Sequence, residues 1–251
     1  MADYKIYPTL LDAFEWWKAA ETEADGLQRE ADLVDKINRV YQEPTYAASR
    51  GTALNMCVDA VVSGKTVDVA LSDFGSETSE SGVYRTGTTE TPELYVFLDG
   101  FRFNFAEGLV LQLADMVGDA VIQPLLTAIV PTAYGDCELY GYADYINGDT
   151  IIDLKSTNEY KVGKYRTKWQ HRVYPLLAVR SGMMQRVDCF EYLVAELKSG
   201  SQPLDGVIYR EQYNATLAAS ENELRTMLEV EFLPWLEAHR NVITDFKIFG
   251  K

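Results

Sequence analysis

The segment GYADYINGDTIIDLKS, residues 141–156, holds two carboxylates and a lysine at spacings suited to phosphoryl chemistry. Asn147-Gly148 is a strong signal for a two-residue hairpin loop. With that pair at the tip, Ile146 pairs with Asp149, Asp144 with Ile151, and Tyr142 with Asp153. Strand side chains alternate and directly opposed residues share a face. Asp144, Asp153 and Lys155 then point to one side, the two acids being diagonal neighbours about 7–8 Å apart. Gly141, Ala143, Tyr145, Ile152 and Leu154 face the other way and suit a packed face. The parity depends on a two-residue loop; three residues would break it. Two carboxylates can hold a hard cation through oxygen, and the cation can polarise a phosphoryl oxygen and lower the pKa of water. A lysine beside them can stabilise developing negative charge. The rival reading is a surface hairpin of alternating charges with no site.

Other residue types narrow the metal. His171 and His239 are the only histidines, and Cys57, Cys137 and Cys189 are far apart. With no C-x-x-C spacing, neither a zinc ribbon nor a disulfide framework is expected, and the cysteines read as reduced core thiols. Oxygen ligands favour magnesium, manganese or calcium.

Downstream, Gln170 and Tyr174 lie four apart in KWQHRVYPLL and share a helix face. The order G-Y-A-D at 141–144, I-I-D-L-K at 151–155, then Gln170 and Tyr174, resembles the RecB-like, lambda-exonuclease-like branch of the PD-(D/E)xK nuclease superfamily, with its Q-x-x-x-Y motif. R-G-T-A-L-N at 50–55 looks like that family's first motif, a helix reading G-x-x-x-H. YPTLLDAFEWW at 7–17 is similar to its opening helix. The resemblance covers roughly residues 7 to 197.

The resemblance implies an α/β fold with a restriction-endonuclease-like core: a mixed central sheet flanked by helices, in the order αβββαβ, with extra N- and C-terminal helices. It implies a metal-dependent deoxyribonuclease, an exonuclease of phage or prophage recombination or repair, using Mg2+ or Mn2+. Asp144 and Asp153 would be metal ligands, the Leu154 carbonyl a third, and Lys155 the catalytic lysine. Gln170 and Tyr174 would position DNA or support the site. Asn55 stands where the family has a metal-binding histidine; an amide oxygen ligates magnesium more weakly. Asp59, one turn later, is a substitute candidate, and Glu107 and Glu138 are further acids. Three scattered cysteines supply no four-cysteine pattern, so no iron–sulfur cluster is expected. No G-x-x-x-x-G-K-[ST] loop indicates a fused motor. DNA is the implied partner, a single-strand-annealing or recombination protein a further one, and ring-forming relatives leave room for an oligomer. The alternative is a nuclease-fold module that binds DNA or protein without cutting, which Asn55 favours.

Charge bears on that choice. With 23 Lys and Arg against 38 Asp and Glu, the net charge is −15, which opposes non-specific binding to a polyanion. Yet Lys155, Lys161, Lys164, Arg166, Lys168 and Arg172 fall in 18 residues with Glu159 the single acid, giving +5 locally. Tyr160, Tyr165 and Trp169 interleave with them. The cations suit phosphate contacts and Tyr165 suits base stacking, while Trp169 is the aromatic best suited to the core. The alternative is a solvated helix face.

The positioning elements read as follows. Helices are expected at 9–40 (capped by Thr9), 50–62, 106–117, 165–181 and 215–239, the last kinked at Pro234. Strands are expected at 122–130, 137–146, 150–155, 187–197 and 206–213, with a hairpin turning at Asp99-Gly100. Residues 73–92, rich in Gly, Ser, Thr and Glu, read as a mobile loop with a short strand at Val83-Tyr84. One domain is expected over the 251 residues, its core at about 45–200 and helical additions at 1–44 and 214–251. With 47% hydrophobic and 24% charged residues, composition is ordinary for a globular chain. No apolar run reaches the roughly 18 residues of a membrane span, and the start lacks a signal-peptide pattern, so the expected location is cytoplasmic.

Overall fold

A computed structural model describes residues 2–68, 82–87, 91–198 and 200–250. The order is β1 (Tyr4–Ile6), α1 (Pro8–Lys18), α2 (Glu23–Ile37), α3 (Tyr46–Val62), β2 (Val67–Asp68), β3 (Tyr84–Gly87), β4 (Pro92–Leu98), β5 (Phe101–Ala106) and α4 (Glu107–Val117). Then come β6 (Val121–Ile122), β7 (Leu125–Thr132), β8 (Gly135–Tyr142), β9 (Tyr145–Asn147), β10 (Thr150–Thr157), α5 (Gln170–Arg180), β11 (Cys189–Leu197), β12 (Gly206–Asn214), α6 (Leu217–Thr226) and α7 (Leu233–Ala238). The fold is mixed α/β, with three sheets ordered β1-β8-β7, β12-β11-β10-β9-β6 and β2-β3-β4-β5. Among the described residues no helix is long and apolar enough to cross a membrane.

A bent hairpin joins the first two sheets. β7 pairs with β8 through Leu125↔Tyr142, and β6 with β9 through Val121↔Ile146, so one antiparallel register runs through both pairs. Between them the ladder is interrupted. Pro124 has no N–H to give, and Gln123 turns at a positive φ of 48°. Two backbone bonds carry the register across the bend, Gln123 N to Asp144 O at 2.8 Å and Ala143 N to Pro124 O at 3.2 Å. Asp144 therefore sits where the strand changes direction.

The five-stranded sheet has a cluster of buried apolar residues on each face. β10 runs parallel to β11, which requires a long crossover; residues 158–188, including α5, supply it. Ile151, Phe190, Tyr192 and Val194 pack on one side with α1, α5, α6 and α7. Ile152, Leu154, Leu193 and Ala195 pack on the other with α3, α4, β4 and β5.

Several expected elements are divided or shifted. The helix expected at 9–40 is two: α1 starts at Pro8 with Tyr7 as its cap residue, and Thr22 caps α2 by accepting from Asp25 N. The first motif helix starts at Tyr46, capped by Thr45. The Asp99-Gly100 turn forms as read, with both residues at positive φ. The C-terminal helix passes through a π-helical stretch, Met227–Phe232, just before Pro234, a local irregularity that accommodates the missing N–H. Most of the segment read as a loop at 73–92 lies outside the described residues. The helix expected at 165–181 begins only at Gln170.

Candidate active site

The chemistry-bearing hairpin closes one residue later than its sequence suggests. Asn147 pairs with Thr150, Ile146 with Ile151 and Tyr145 with Ile152, so the loop is Gly148-Asp149 rather than Asn147-Gly148. Gly148 holds φ at +55°, a geometry glycine adopts without cost at the first loop position. The expected pairs Ile146–Asp149, Asp144–Ile151 and Tyr142–Asp153 are thus replaced. Moving a two-residue loop by one shifts the register by two, so Tyr145, Ile152 and Leu154 keep the face opposite the acids. Gly141 and Ala143, expected there too, lie on the Tyr174 side, because the strand bends between them and Tyr145. The shift also puts Asp144 opposite Asp153 rather than diagonal to it.

Asp144, half-buried at the bend, is anchored by its neighbour strand: Leu154 N donates to its Oδ2 at 2.8 Å. Asp153 is 3% exposed. Its Oδ1 accepts from Gln170 Nε2 at 2.7 Å, and its Oδ2 lies 2.5 Å from Lys155 Nζ. That second contact is an ion pair at poor hydrogen-bond angles, leaving the buried Oδ2 without a hydrogen bond. Burial, and then the charge of Asp153, push the Asp144 carboxyl up to about 7 from an ordinary 3.8; Lys155 and the Leu154 N–H only partly oppose this. Burial would depress the Lys155 ammonium, yet Asp153 and Asp144 together raise it, so it stays charged. Asp144, Asp153 and Lys155 form one electrostatic unit.

Gln170 and Tyr174 support this unit from beneath. Both are buried, so neither faces outward to meet DNA. Tyr174 packs over the bent hairpin at Gly141; a Cβ there would meet the Tyr174 ring at 2.7 Å, which is why the position must be glycine. Burial, then the two site carboxylates, raise the Tyr174 phenol. The start of α5 is fixed by Asp12 of α1, whose Oδ1 accepts from Trp169 N at 2.9 Å. Asp12 was not read from the sequence as part of the site. Burial raises its carboxyl above the ordinary range, against the Trp169 N–H and the charges of Lys168 and Lys155.

Of the further acids, Asp59 alone belongs here. Its Oδ1 accepts from Tyr145 OH at 2.6 Å and its Oδ2 from Gln123 Nε2 at 2.8 Å, so it buttresses the bend, both oxygens engaged. Burial raises its carboxyl, partly offset by those bonds. Asn55 is half-buried on α3, between Gly51, which abuts Ser156, and Asp59. Glu107 pairs with Arg85. Glu138, on the expected strand 137–146 and at even spacing from Asp144, lies on β8 before the bend and pairs with Lys5 at 3.2 Å.

Among the described residues no three His, Cys, Asp or Glu side chains group tightly enough to hold a metal alone. Magnesium does not require that: it is bound through one or two carboxylates and keeps waters or substrate oxygens for the rest. Two facing carboxylates, one with a buried oxygen lacking a hydrogen bond, fit such an ion.

Of the basic segment, Lys161, Lys164, Arg166 and Lys168 lie in a loop rather than on a helix face, between Lys155 on β10 and Arg172 on α5. Lys161 pairs with Glu159 at 3.2 Å, both exposed. Lys164 Nζ donates to Thr157 Oγ1 at 2.6 Å and Glu159 O at 2.8 Å. Lys168 lies 3.9 Å from Asp12, and Arg172 lies 3.4 Å from Glu223 and over the Trp169 ring. Arg166 is exposed. Tyr165, expected to stack on bases, is buried against Tyr192 with ring centroids 4.7 Å apart; its face is already covered. Trp169 is core, as read.

No family model matches the chain, and no curated protein matches it. Among solved structures the chain is similar to one titled "Crystal structure of SSO0001", at 11% identity and a TM-score of 0.41, covering 92% of this chain and 78% of that one.

Proposed function

We propose that the chain is a metal-dependent DNA nuclease with a restriction-endonuclease-like core, hydrolysing phosphodiester bonds. One observation carries the reading: Asp144, Asp153, Lys155 and Gln170 converge, with a buried Asp153 oxygen held by Lys155 alone. Two carboxylates that share one lysine repel each other, and a divalent cation would relieve what the lysine leaves. Asp144 and Asp153 would hold magnesium or manganese, with the Leu154 carbonyl, the Asn55 amide and waters available to complete its shell. When bound, such an ion supplies Lewis-acid polarisation of a phosphoryl oxygen and acidifies water.

The chain's own residues do the rest. Gln170 fixes the Asp153 carboxylate, and Leu154 N–H fixes that of Asp144, so neither must reorganise during reaction. Lys155, kept protonated between two acids, presents a cation where charge builds on the phosphoryl group. The decisive assay uses end-labelled linear duplex and single strands, with and without manganese, and circular DNA as control. Metal-dependent degradation is expected, and Lys155→Ala should reduce it by about 100-fold or more while leaving the fold intact. Wild-type cleavage by Lys155→Ala would sink the assignment.

Asn55 in the histidine position, and only two converging acids, favour a second reading: a module that binds DNA without cutting. Metal-dependent DNA binding with no cleavage under any metal would establish it.

A further inference from the structure

Across the five-stranded sheet, Asp153 on β10, Tyr192 on β11 and Glu211 on β12 are register partners in one row. They share a face, so Glu211 stands two strand spacings, roughly 10 Å, from Asp153. Tyr209 and Tyr213 lie on either side of it along β12. After β10 the chain folds back over this face and delivers three donors to the Glu211 carboxylate, and Tyr213 on β12 adds a fourth. Oε2 accepts from Tyr160 OH at 2.7 Å and Gly163 N at 3.2 Å; Oε1 accepts from Tyr165 N at 3.2 Å and from Tyr213 OH. Glu211 is 8% exposed, and no cation contacts it among the described residues. A buried carboxylate is tolerable when hydrogen bonds saturate it, and these saturate both oxygens.

The clamp has a second layer. Tyr165 lies on Tyr192, whose hydroxyl meets His171 Nδ1 at 3.2 Å, and His171 stacks on Tyr213 at 4.1 Å. Tyr160 packs on Tyr209 at 4.8 Å. The aromatic rings of the loop are thereby engaged by the sheet, and the cations left outside are Lys161, Lys164 and Arg166, beside exposed Glu159, Val162 and Thr167. The loop lies beside the site, because Tyr165 stacks on Tyr192, the register partner of Asp153.

We propose that Glu211 is a positioning residue: its carboxylate fixes the backbone of residues 160–165 so that Lys161, Lys164 and Arg166 form a preset phosphate cradle beside Asp144, Asp153 and Lys155. The cradle rests on the nuclease reading, whereas the clamp rests on the geometry alone. A cradle ordered before binding avoids the cost of ordering the loop on the substrate. Because no ring is offered outward, the loop reads phosphates and not bases, so its contribution should be independent of sequence and should fall steeply with salt.

The test uses the full chain and Glu211→Gln. A glutamine cannot accept all four bonds, since its amide nitrogen opposes donors. Limited trypsin digestion, with nicks mapped by mass spectrometry, reads the loop; cutting after Lys161, Lys164 or Arg166 should accelerate about tenfold. On a linear duplex with manganese, KM should rise about tenfold with kcat within about twofold. Arg166→Ala should weaken binding in the wild type and much less in the Glu211→Gln background. Tyr160→Phe removes one donor of four and should give a smaller change of the same kind, which covers misfolding of the glutamine variant. Unchanged loop cutting overturns the clamp. Faster cutting with unchanged KM, or equal Arg166→Ala effects in both backgrounds, overturns the cradle. Faster cutting in a protein whose wild type neither binds nor cuts DNA retains the clamp and rejects both the nuclease reading and the cradle.

Discussion

Two buried carboxylates lie in adjacent rows of the same sheet and are treated in opposite ways. Glu191, 1% exposed, follows Ile152 in one row and faces the α3–α4 side. It accepts from Arg210 Nε at 2.8 Å, Arg210 Nη2 at 2.7 Å and Gln212 Nε2 at 2.6 Å. Asp153, one residue along β10 and on the opposite face, accepts from Gln170, is ion-paired with Lys155 and faces a second carboxylate. The first acid is saturated by a bidentate arginine, an arrangement that contributes to stability and leaves nothing for a ligand. The second shares one lysine with another carboxylate and is crowded with like charge, an arrangement that costs stability and suits a divalent cation. Burial alone therefore does not mark a functional acid; the state of its partners does.

The largest expected effect separates the two acids by activity. Asp153→Asn should lower cleavage by at least about 100-fold, while the melting temperature in metal-free buffer holds or rises as repulsion with Asp144 is lost. Loss of the folded state together with activity would make Asp153 a structural acid like Glu191. Arg210→Ala should behave inversely: stability falls by about 2 kcal/mol, because buried Glu191 loses two charged bonds, and activity per folded molecule is retained. Denaturant unfolding beside a cleavage assay reads both, and a large activity loss would erase the contrast.

Gly141→Ala probes the packing beneath the site. The new Cβ collides with Tyr174, at a cost of about 1–3 kcal/mol, and should also slow cleavage, because Gln170 sits on the same helix. Thermal melting and initial rates measure the two.

The smallest effect is in pH. An Asp144 carboxyl titrating at about 7 holds a proton that the unfolded chain, titrating near 3.8, has released. Metal-free stability from this group therefore declines as pH rises from about 4 to about 7. Magnesium binds the deprotonated pair, so its affinity should drop up to about tenfold per pH unit below pH 7. Melting with and without magnesium on either side of that pH reads this; equal stabilisation throughout would place the ion elsewhere.

Strand alternation was enough to bring Asp144, Asp153 and Lys155 to one side. A period of two is a property of the local chain and survives a register shift of two. The four-residue spacing of Gln170 and Tyr174 likewise put both on one helix face beneath the site. Asn-Gly and Gly-Asp are both competent turns, so local sequence does not fix the loop position; pairing of the whole ladder chooses Gly148-Asp149. Nothing local announced the bend at Gln123-Pro124, although a proline inside a strand pattern was the available hint. Asp12 and Glu211 act across separations in sequence of 157 and up to 51 residues. Glu211 flanked by Tyr209 and Tyr213 on an expected strand was visible as a pattern without a meaning.

By itself the sequence determined which side chains could do chemistry and which shared a face, because both follow from backbone periodicity. Tertiary structure alone decided which of those groups became satisfied. It turned Tyr165 inward, saturated Glu191 and Glu211, and left Asp153 and Asp144 to share one lysine. Satisfaction depends on donors arriving from distant segments, and only the packed chain delivers them.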